Sequence, residues 1–144
     1  MKKASSELFL LDVNVLVALA WPNHQFNAAA RRRFVPSPHQ WATCAITQIG
    51  FIRLSSNPSA VIPAKTPRAA AGQLARIIDD PRHSFLETMP PPASRSFTNI
   101  LGPGQVTDAY LLQVAKFHDA VFVTFDKRMR SIVADDQFVE ILGL

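Results

Sequence analysis

The sequence predicts an α/β fold in which a central parallel sheet is flanked by helices. Short, continuous apolar runs, typical of strands that are buried on both faces, alternate with longer stretches of helical spacing. Two of these runs, LFLL and VFVTF, are each followed directly by an aspartate, Asp12 and Asp126. Because ligands gather beyond the carboxyl ends of parallel strands, we expect a functional site at this edge of the sheet.

The elements of the first half follow from its apolar runs and from the residues that interrupt them. Pro22 breaks the first helical stretch, and Asn23 is of a residue type that caps helices. The run RRR lies near the end of the helix that follows, where cations favour the helix dipole. We predict strands at residues 7–11 and 40–45, and helices at 13–20, 23–34 and from 47 to about 57.

The second half continues the alternation after an irregular segment. Thr107 is predicted to cap a helix that carries Asp108 in its first turn, where an anion is favoured. The preceding residues 89–104 are rich in proline and glycine and are predicted to be irregular, with one helical turn at 97–101. We predict helices at residues 68–78, 107–118 and 127–133, and strands at 83–87, 120–125 and 137–141.

The composition is that of an ordinary globular domain, because 48% of the residues are apolar and 18% are charged. Residues 1–144 contain no internal repeat and are predicted to form a single domain. The net charge of +4 suits a polyanionic partner such as RNA or DNA, although many mildly basic domains bind none.

Cys44, the only cysteine, excludes an intrachain disulfide. No apolar stretch is long enough to span a bilayer, so we expect no membrane association and a cytoplasmic location.

Three aspartates lie where a charge is costly, at the edge of a predicted core. Asp12 and Asp126 end buried strands, and Asp108 opens a helix that can face the same edge. If the three side chains converge, they form an oxygen-rich pocket suited to Mg²⁺ or Mn²⁺, for which phosphate esters are natural substrates. The alternative for Asp108 is a simple helix-start anion.

Several stretches, taken together, resemble the PIN domain, and in particular the VapC-type toxins of bacterial toxin–antitoxin pairs. The matching stretches, in the order found in that family, are LLDVNVLVAL, NHQFNAAARRRF, WATCAITQIGFIRLSSNP, VTDAYLLQVAKFHDA and VTFDKRM. The resemblance covers nearly the whole chain. It implies a compact, PIN-like α/β/α sandwich and a Mg²⁺- or Mn²⁺-dependent endoribonuclease that hydrolyses RNA with a metal-activated water. It also implies a homodimer that is silenced by a cognate antitoxin protein.

The resemblance further implies which residues form the site. By position, Asp12, Asp108 and Asp126 match the acidic metal-site residues of the family, Asn14 matches a supporting polar residue, and Thr124 matches a frequent serine or threonine. Arg53 and Lys127 are candidates to contact phosphates, or else are solvated surface charges.

One position departs from the family. Gln48 in TQIGFIR stands where these proteins usually carry a glutamate. Glutamine keeps a carbonyl oxygen but has no negative charge and cannot act as a base. We therefore expect one firmly held ion between Asp12 and Asp108, and a second ion that binds weakly or only with RNA. The alternative is a catalytically weakened PIN domain that serves as an RNA- or protein-binding module.

A rival from another class is a phosphohydrolase of the haloacid-dehalogenase type, in which a strand-ending aspartate is the nucleophile. That chemistry needs a second aspartate two residues later, where this chain has Asn14. Zinc chemistry is disfavoured as well, because the histidines have no metal-ligand spacing.

Overall fold

One sheet of five parallel strands organises the part of the chain that the structure describes. The computed structural model describes residues 8–36, 39–94, 102–132 and 137–143. Its strands are β1 (Leu8–Leu11), β2 (Gln40–Thr43), β3 (His83–Phe85), β4 (Val121–Thr124) and β5 (Val139–Ile141). Their spatial order is β3-β2-β1-β4-β5, so β1 is central and β4 is its neighbour on one side. The predicted parallel sheet is confirmed.

Helices connect the strands, as parallel pairing requires. They are α1 (Val13–Ala20), α2 (Asn27–Phe34), α3 (Ala45–Ser55), α4 (Pro67–Ile78), α5 (Val106–Phe117) and α6 (Met129–Ile132). Short 3₁₀ turns occupy Pro92–Ser94 and Pro103–Gln105. None of the helices in the described ranges is long and apolar enough to cross a bilayer.

The two faces of the sheet bury two separate hydrophobic clusters. Because side chains alternate along a strand, Phe9 and Leu11 of β1 pack into one cluster and Leu10 packs into the other. The first cluster also receives side chains from α1, α2, α3 and α4, and the second receives side chains from α5 and α6. The fold is therefore an α/β/α sandwich, as predicted.

The start of α2 differs from the prediction. The helix begins at Asn27, with Phe26 as its N-cap residue, and Asn23 does not cap it. Residues 21–26 form turns instead, in which the backbone N–H of His24 donates to the carbonyl of Trp21. The Asn23 amide donates to the carbonyl of Ile62 at 3.0 Å and so joins two loops.

Three further boundaries were wrong by one or two residues. β2 ends at Thr43 and α3 begins at Ala45, because the backbone N–H of Cys44 donates to Oγ1 of Thr47 at 3.0 Å. Thr47 thus lies inside the first turn and caps the helix from there. Similarly, α5 begins at Val106 directly after a 3₁₀ turn, with Gln105 as the N-cap residue, so Thr107 is not the cap.

Other predicted elements are shorter in the structure or lie outside it. The third strand ends at Phe85, and α6 begins at Met129. The predicted turn at 97–101 lies outside the described residues, as do Glu7 and Val133.

Candidate active site

Asp12 joins the central strand to the first helix. Its backbone N–H donates to the carbonyl of Val123 at 2.9 Å, which extends the pairing of β1 with β4 by one residue. Asp12 is 6% exposed, and each of its carboxylate oxygens accepts a hydrogen bond. Oδ1 accepts from the N–H of Val13 at 2.7 Å, and Oδ2 accepts from the hydroxyl of Thr124 at 2.7 Å. Asp12 is therefore the N-cap of α1 and is fixed in one orientation.

Thr124, the last residue of β4, is the centre of a polar network around Asp12. While its hydroxyl donates to Asp12, its oxygen accepts from the backbone N–H of Asp126 at 3.0 Å and from the Asn14 amide at 3.5 Å. The amide oxygen of Asn14 accepts in turn from the N–H of Phe125 at 3.3 Å. Asn14 and Thr124 therefore lie beside the acids, where the resemblance places them.

Asp108 approaches Asp12 from the helical layer on the opposite face of the sheet. It lies in the first turn of α5 and is half-buried. Burial, the charge of Asp12 and a hydrogen bond to Asp126 raise its pKa to about 7, in that order of importance. Burial also raises the pKa of Asp12, although the hydrogen bonds from Thr124 and Val13 oppose that shift. We call Asp12, Asp108 and Asp126 the acidic pocket.

Asp126 differs from the other two acids because it has a cation of its own. Nε of Arg128 lies 3.0 and 3.1 Å from its two oxygens, and Nη2 lies 2.7 Å from Oδ2. The backbone N–H of Arg128 also donates to Oδ1 at 2.9 Å. The guanidinium is the main reason why the pKa of Asp126 is lowered to about 2. Asp126 is thus ionised, and its oxygens are engaged.

Gln48 lies at the same edge of the sheet but belongs to a different set of contacts. Its amide N–H donates to Oγ1 of Thr43 at 3.0 Å, and that hydroxyl lies 2.8 Å from Nε2 of His83. Burial lowers the pKa of His83, because it disfavours the charged ring. Among the described contacts, no hydrogen bond joins Gln48 to an aspartate. We call Thr43, Gln48 and His83 the neutral cluster.

Three residues in or beside these two groups were not identified from the sequence. Arg128 had a local signal, since a cation follows Asp126 by two residues in FDKR. Thr43 and His83 had none, because only the register that pairs β2 with β3 brings them together. The predicted phosphate contacts are surface residues. Arg53 lines an apolar groove of about 510 Å³ between α3 and the start of α5, and Lys127 is exposed.

The acidic pocket fits a hard divalent cation in charge and donor type. Its ligand atoms are carboxylate oxygens, and burial together with the charge of Asp12 raises the pKa of Asp108, although Arg128 opposes that shift. Within the described ranges, however, no three acidic, histidine or cysteine side chains form a ready-made ligand cage. Mg²⁺ commonly uses one or two carboxylates and keeps several waters, so an incomplete cage agrees with such a site.

Comparison with known proteins places this geometry in context. The family model of the PIN domain matches residues 9–134. Ribonuclease VapC39 of Mycobacterium tuberculosis is 40% identical over 121 residues, which cover 81% of this chain and 87% of that protein. Ribonuclease VapC38 of the same species is 40% identical over 119 residues, covering 81% and 84%.

A solved structure with the same fold is that of Mycobacterium tuberculosis VapC20, described as a toxin that cleaves the sarcin–ricin loop. It superposes with a TM-score of 0.62 and covers 94% of this chain and 99% of the VapC20 chain. Only 15% of the aligned residues are identical, so this likeness concerns the fold alone.

Proposed function

The chain belongs to the PIN-domain family, and on that premise we propose that it is a Mg²⁺- or Mn²⁺-dependent endoribonuclease, the toxin of a toxin–antitoxin pair. The observation that carries this proposal is the acidic pocket, in which three carboxylates interact at one edge of the sheet. Buried like charges with strongly shifted pKa values are typical of functional sites. The relatives are named ribonucleases, which supports RNA as the substrate class.

Asp12 and Asp108 would hold the ion. Asp12 is preorganised, because Val13 and Thr124 fix its carboxylate and leave little side-chain freedom to be lost on binding. Asp108 would have to release its proton, which a nearby cation favours because it lowers the carboxyl pKa. When bound, the ion would acidify a water for in-line attack on phosphorus and offset charge on the leaving oxygen.

RNA, a cognate antitoxin and a second copy of the chain are the partners we propose, with action in the cytoplasm, where RNA is available. We expect the antitoxin to place a cationic side chain, such as arginine, in the acidic pocket. The contact between Arg128 and Asp126 supports the idea that a guanidinium fits there. A complex with the antitoxin in which no cationic group reaches the pocket would contradict this expectation.

Cleavage of total RNA by the purified chain tests the proposed activity. We expect Mn²⁺-dependent cleavage that Asp108→Asn and Asp12→Asn each abolish, while Asp79→Asn, an exposed acid at the end of α4, leaves it intact. Asp108→Asn is the cleaner change, because both oxygens of Asp12 accept hydrogen bonds and an amide can accept only through one. Cleavage retained in both variants would refute the mechanism.

The alternative is a PIN domain that binds RNA or protein without cutting. It is favoured by one observation, namely that Gln48 contributes no charge and donates to Thr43 in the neutral cluster. Melting temperature in Mn²⁺ separates the two functions, because a ligand of the native state raises it. A shift that Asp108→Asn abolishes favours the enzyme, whereas no shift at high millimolar Mn²⁺ favours the binding module.

A further inference from the structure

Arg128 makes a contact for which the reaction outlined above has no role. Its guanidinium and backbone N–H together donate to both oxygens of Asp126, while 65% of the arginine side chain remains exposed. The contact is local, because only Lys127 separates the two residues. A planar guanidinium matches the geometry of a carboxylate, so it covers both oxygens at once.

The position of this contact is informative. Asp126 also interacts through its side chain with Asp108, which in turn feels the charge of Asp12. Arg128 therefore places a positive charge beside the acidic pocket. This charge lowers the pKa of Asp108 as well as that of Asp126. A divalent ion that engages Asp126 requires the same oxygens.

We propose that Arg128 is an internal competitor of the metal ion, which occupies Asp126 in the metal-free protein and must leave it when the ion engages that carboxylate. Arg128 is thus a positioning residue that acts through Asp126. The inference rests on the proposed metal-dependent function. It assigns Asp126 two alternative partners, and it accounts for why that acid differs from Asp12, whose two oxygens accept from the N–H of Val13 and the hydroxyl of Thr124.

The affinity of the full-length chain for Mn²⁺, measured without RNA by the electron paramagnetic resonance signal of the free ion, tests the proposal. Arg128→Ala is expected to bind Mn²⁺ about threefold to tenfold more tightly than the unmodified chain, since an exposed ion pair is of modest strength. Arg128→Lys keeps the charge but loses the planar fork, and we expect it to fall between the two.

Arg130→Ala is the matched control, because Arg130 is also exposed and lies two residues further along the chain, in the short helix α6. It removes the same charge, and we expect an affinity change below about twofold, because exposed charges are screened. If Arg128→Ala binds Mn²⁺ no more tightly than Arg130→Ala, the competition is refuted, while metal-dependent cleavage by the unmodified chain would still stand.

A second measurement does not depend on the folding of any variant. The ¹⁵N resonance of Nε in Arg128 reports its hydrogen bond to Asp126, and diamagnetic Mg²⁺ leaves it observable. We expect this resonance to move towards that of a solvated arginine as Mg²⁺ saturates the protein. A resonance that stays unchanged at saturation would overturn the proposal, and failure to bind either ion would overturn both the proposal and the metal-dependent function.

Discussion

Two polar groups of residues lie at the carboxyl edge of the same sheet, on opposite sides of the central strand. The acidic pocket is built around β1 and β4, and the neutral cluster is built around β2 and β3. In the neutral cluster, the hydroxyl of Thr43 accepts from Gln48 and lies within hydrogen-bonding distance of the half-buried His83. The acidic pocket instead holds three carboxyl groups with one guanidinium.

The difference shows where this fold carries unbalanced charge. Polar groups at the edge of a sheet can bond to neutral partners, as Gln48 and Thr43 do in the neutral cluster. The acidic pocket brings acids together instead, and burial with the neighbouring charge of Asp12 raises the pKa of Asp108 to about 7. Such charge costs stability in the absence of a cation and is relieved when a cation binds, which is the behaviour expected of a metal site.

Substitutions in the two groups should differ most in their effect on the rate of RNA cleavage. Asp108→Asn should reduce RNA cleavage at least about a hundredfold, because charge stabilisation by a metal ion contributes several kcal/mol. His83→Gln should change cleavage by less than about threefold, because the ring contacts Thr43 and lies outside the acidic pocket. Single-turnover cleavage rates at saturating Mn²⁺ measure both. Equal losses in the two variants would mean that the neutral cluster takes part in the chemistry.

The contact between α1 and α3, which holds the two groups next to each other, should have the next largest effect when it is disturbed. A Cβ at Gly50 of α3 would lie 2.4 Å from Cγ2 of Val13, the residue after Asp12, so α3 and α1 can approach only at a glycine. Gly50→Ala should lower the free energy of unfolding by about 1–3 kcal/mol, since overpacking forces neighbours to shift. Urea denaturation measures this change.

Gly72→Ala in α4 is the control for that substitution. The nearest atom to its added Cβ belongs to the flexible side chain of Arg76, at 3.8 Å. This variant should be stabilised by about 0.4–1 kcal/mol, because alanine restricts the unfolded chain and favours the helix. If both glycine variants were stabilised, the close approach of α1 and α3 would be refuted.

The two groups should also respond to pH in opposite directions. In the metal-free protein, Asp108 keeps its proton up to about pH 7, whereas the unfolded chain loses it near 3.8. Stability should therefore fall as the pH rises between these values. The lowered pKa of His83 has the opposite consequence, because below 6.5 the unfolded chain binds a proton that the folded chain does not, and stability falls as the pH falls.

Urea denaturation in chelator from pH 5 to 8 separates these two contributions. Asp108→Asn should reduce the loss of stability towards high pH, to which the raised pKa of Asp12 also contributes, and His83→Gln should reduce the loss towards low pH. A pH profile that neither variant alters would mean that other groups control the acid–base response.

A substitution that gives the neutral cluster a carboxylate should have the smallest effect. Gln48→Glu adds a carboxylate at the same edge, and it should bind Mn²⁺ about twofold to fivefold more tightly, because a partly buried charge at modest range attracts the cation. Its metal-free melting temperature should fall, because Thr43 and the three acids offer the new charge no cation. Gln113→Glu, a partly buried glutamine on α5, is the control. Unchanged affinity in Gln48→Glu would place position 48 beyond the reach of the ion.

The fold was largely predictable, because it depends on local patterns. Helix α1 was predicted residue for residue, and all five strands were identified, since apolar runs and proline breaks act over a few residues. The errors lie at helix starts. Thr107 and Asn23 are good caps by type, but the 3₁₀ turn before Val106 and the turns after Trp21 decided where those helices begin.

The candidate site was predictable in part. The positions of Asp12 and Asp126 at the sheet edge followed from the strands that precede them, and Asn14 and Thr124 followed from the family resemblance. The contact of Gln48 could not be predicted, because the sequence alone does not indicate that its amide would donate to Thr43.

The sequence is sufficient to predict the parallel α/β order, the three acids and the amide in place of a carboxylate at position 48. The packed structure was needed to show that Asp108 reaches Asp12 from the opposite helical layer, and that Thr43 lies between Gln48 and His83. The contact between Arg128 and Asp126, by contrast, is local. The two kinds of feature differ in how far apart in the sequence the interacting residues lie. Apolar periodicity and strand ends act between neighbouring residues, whereas the charge balance of a site depends on side chains that only the packed sheet brings together.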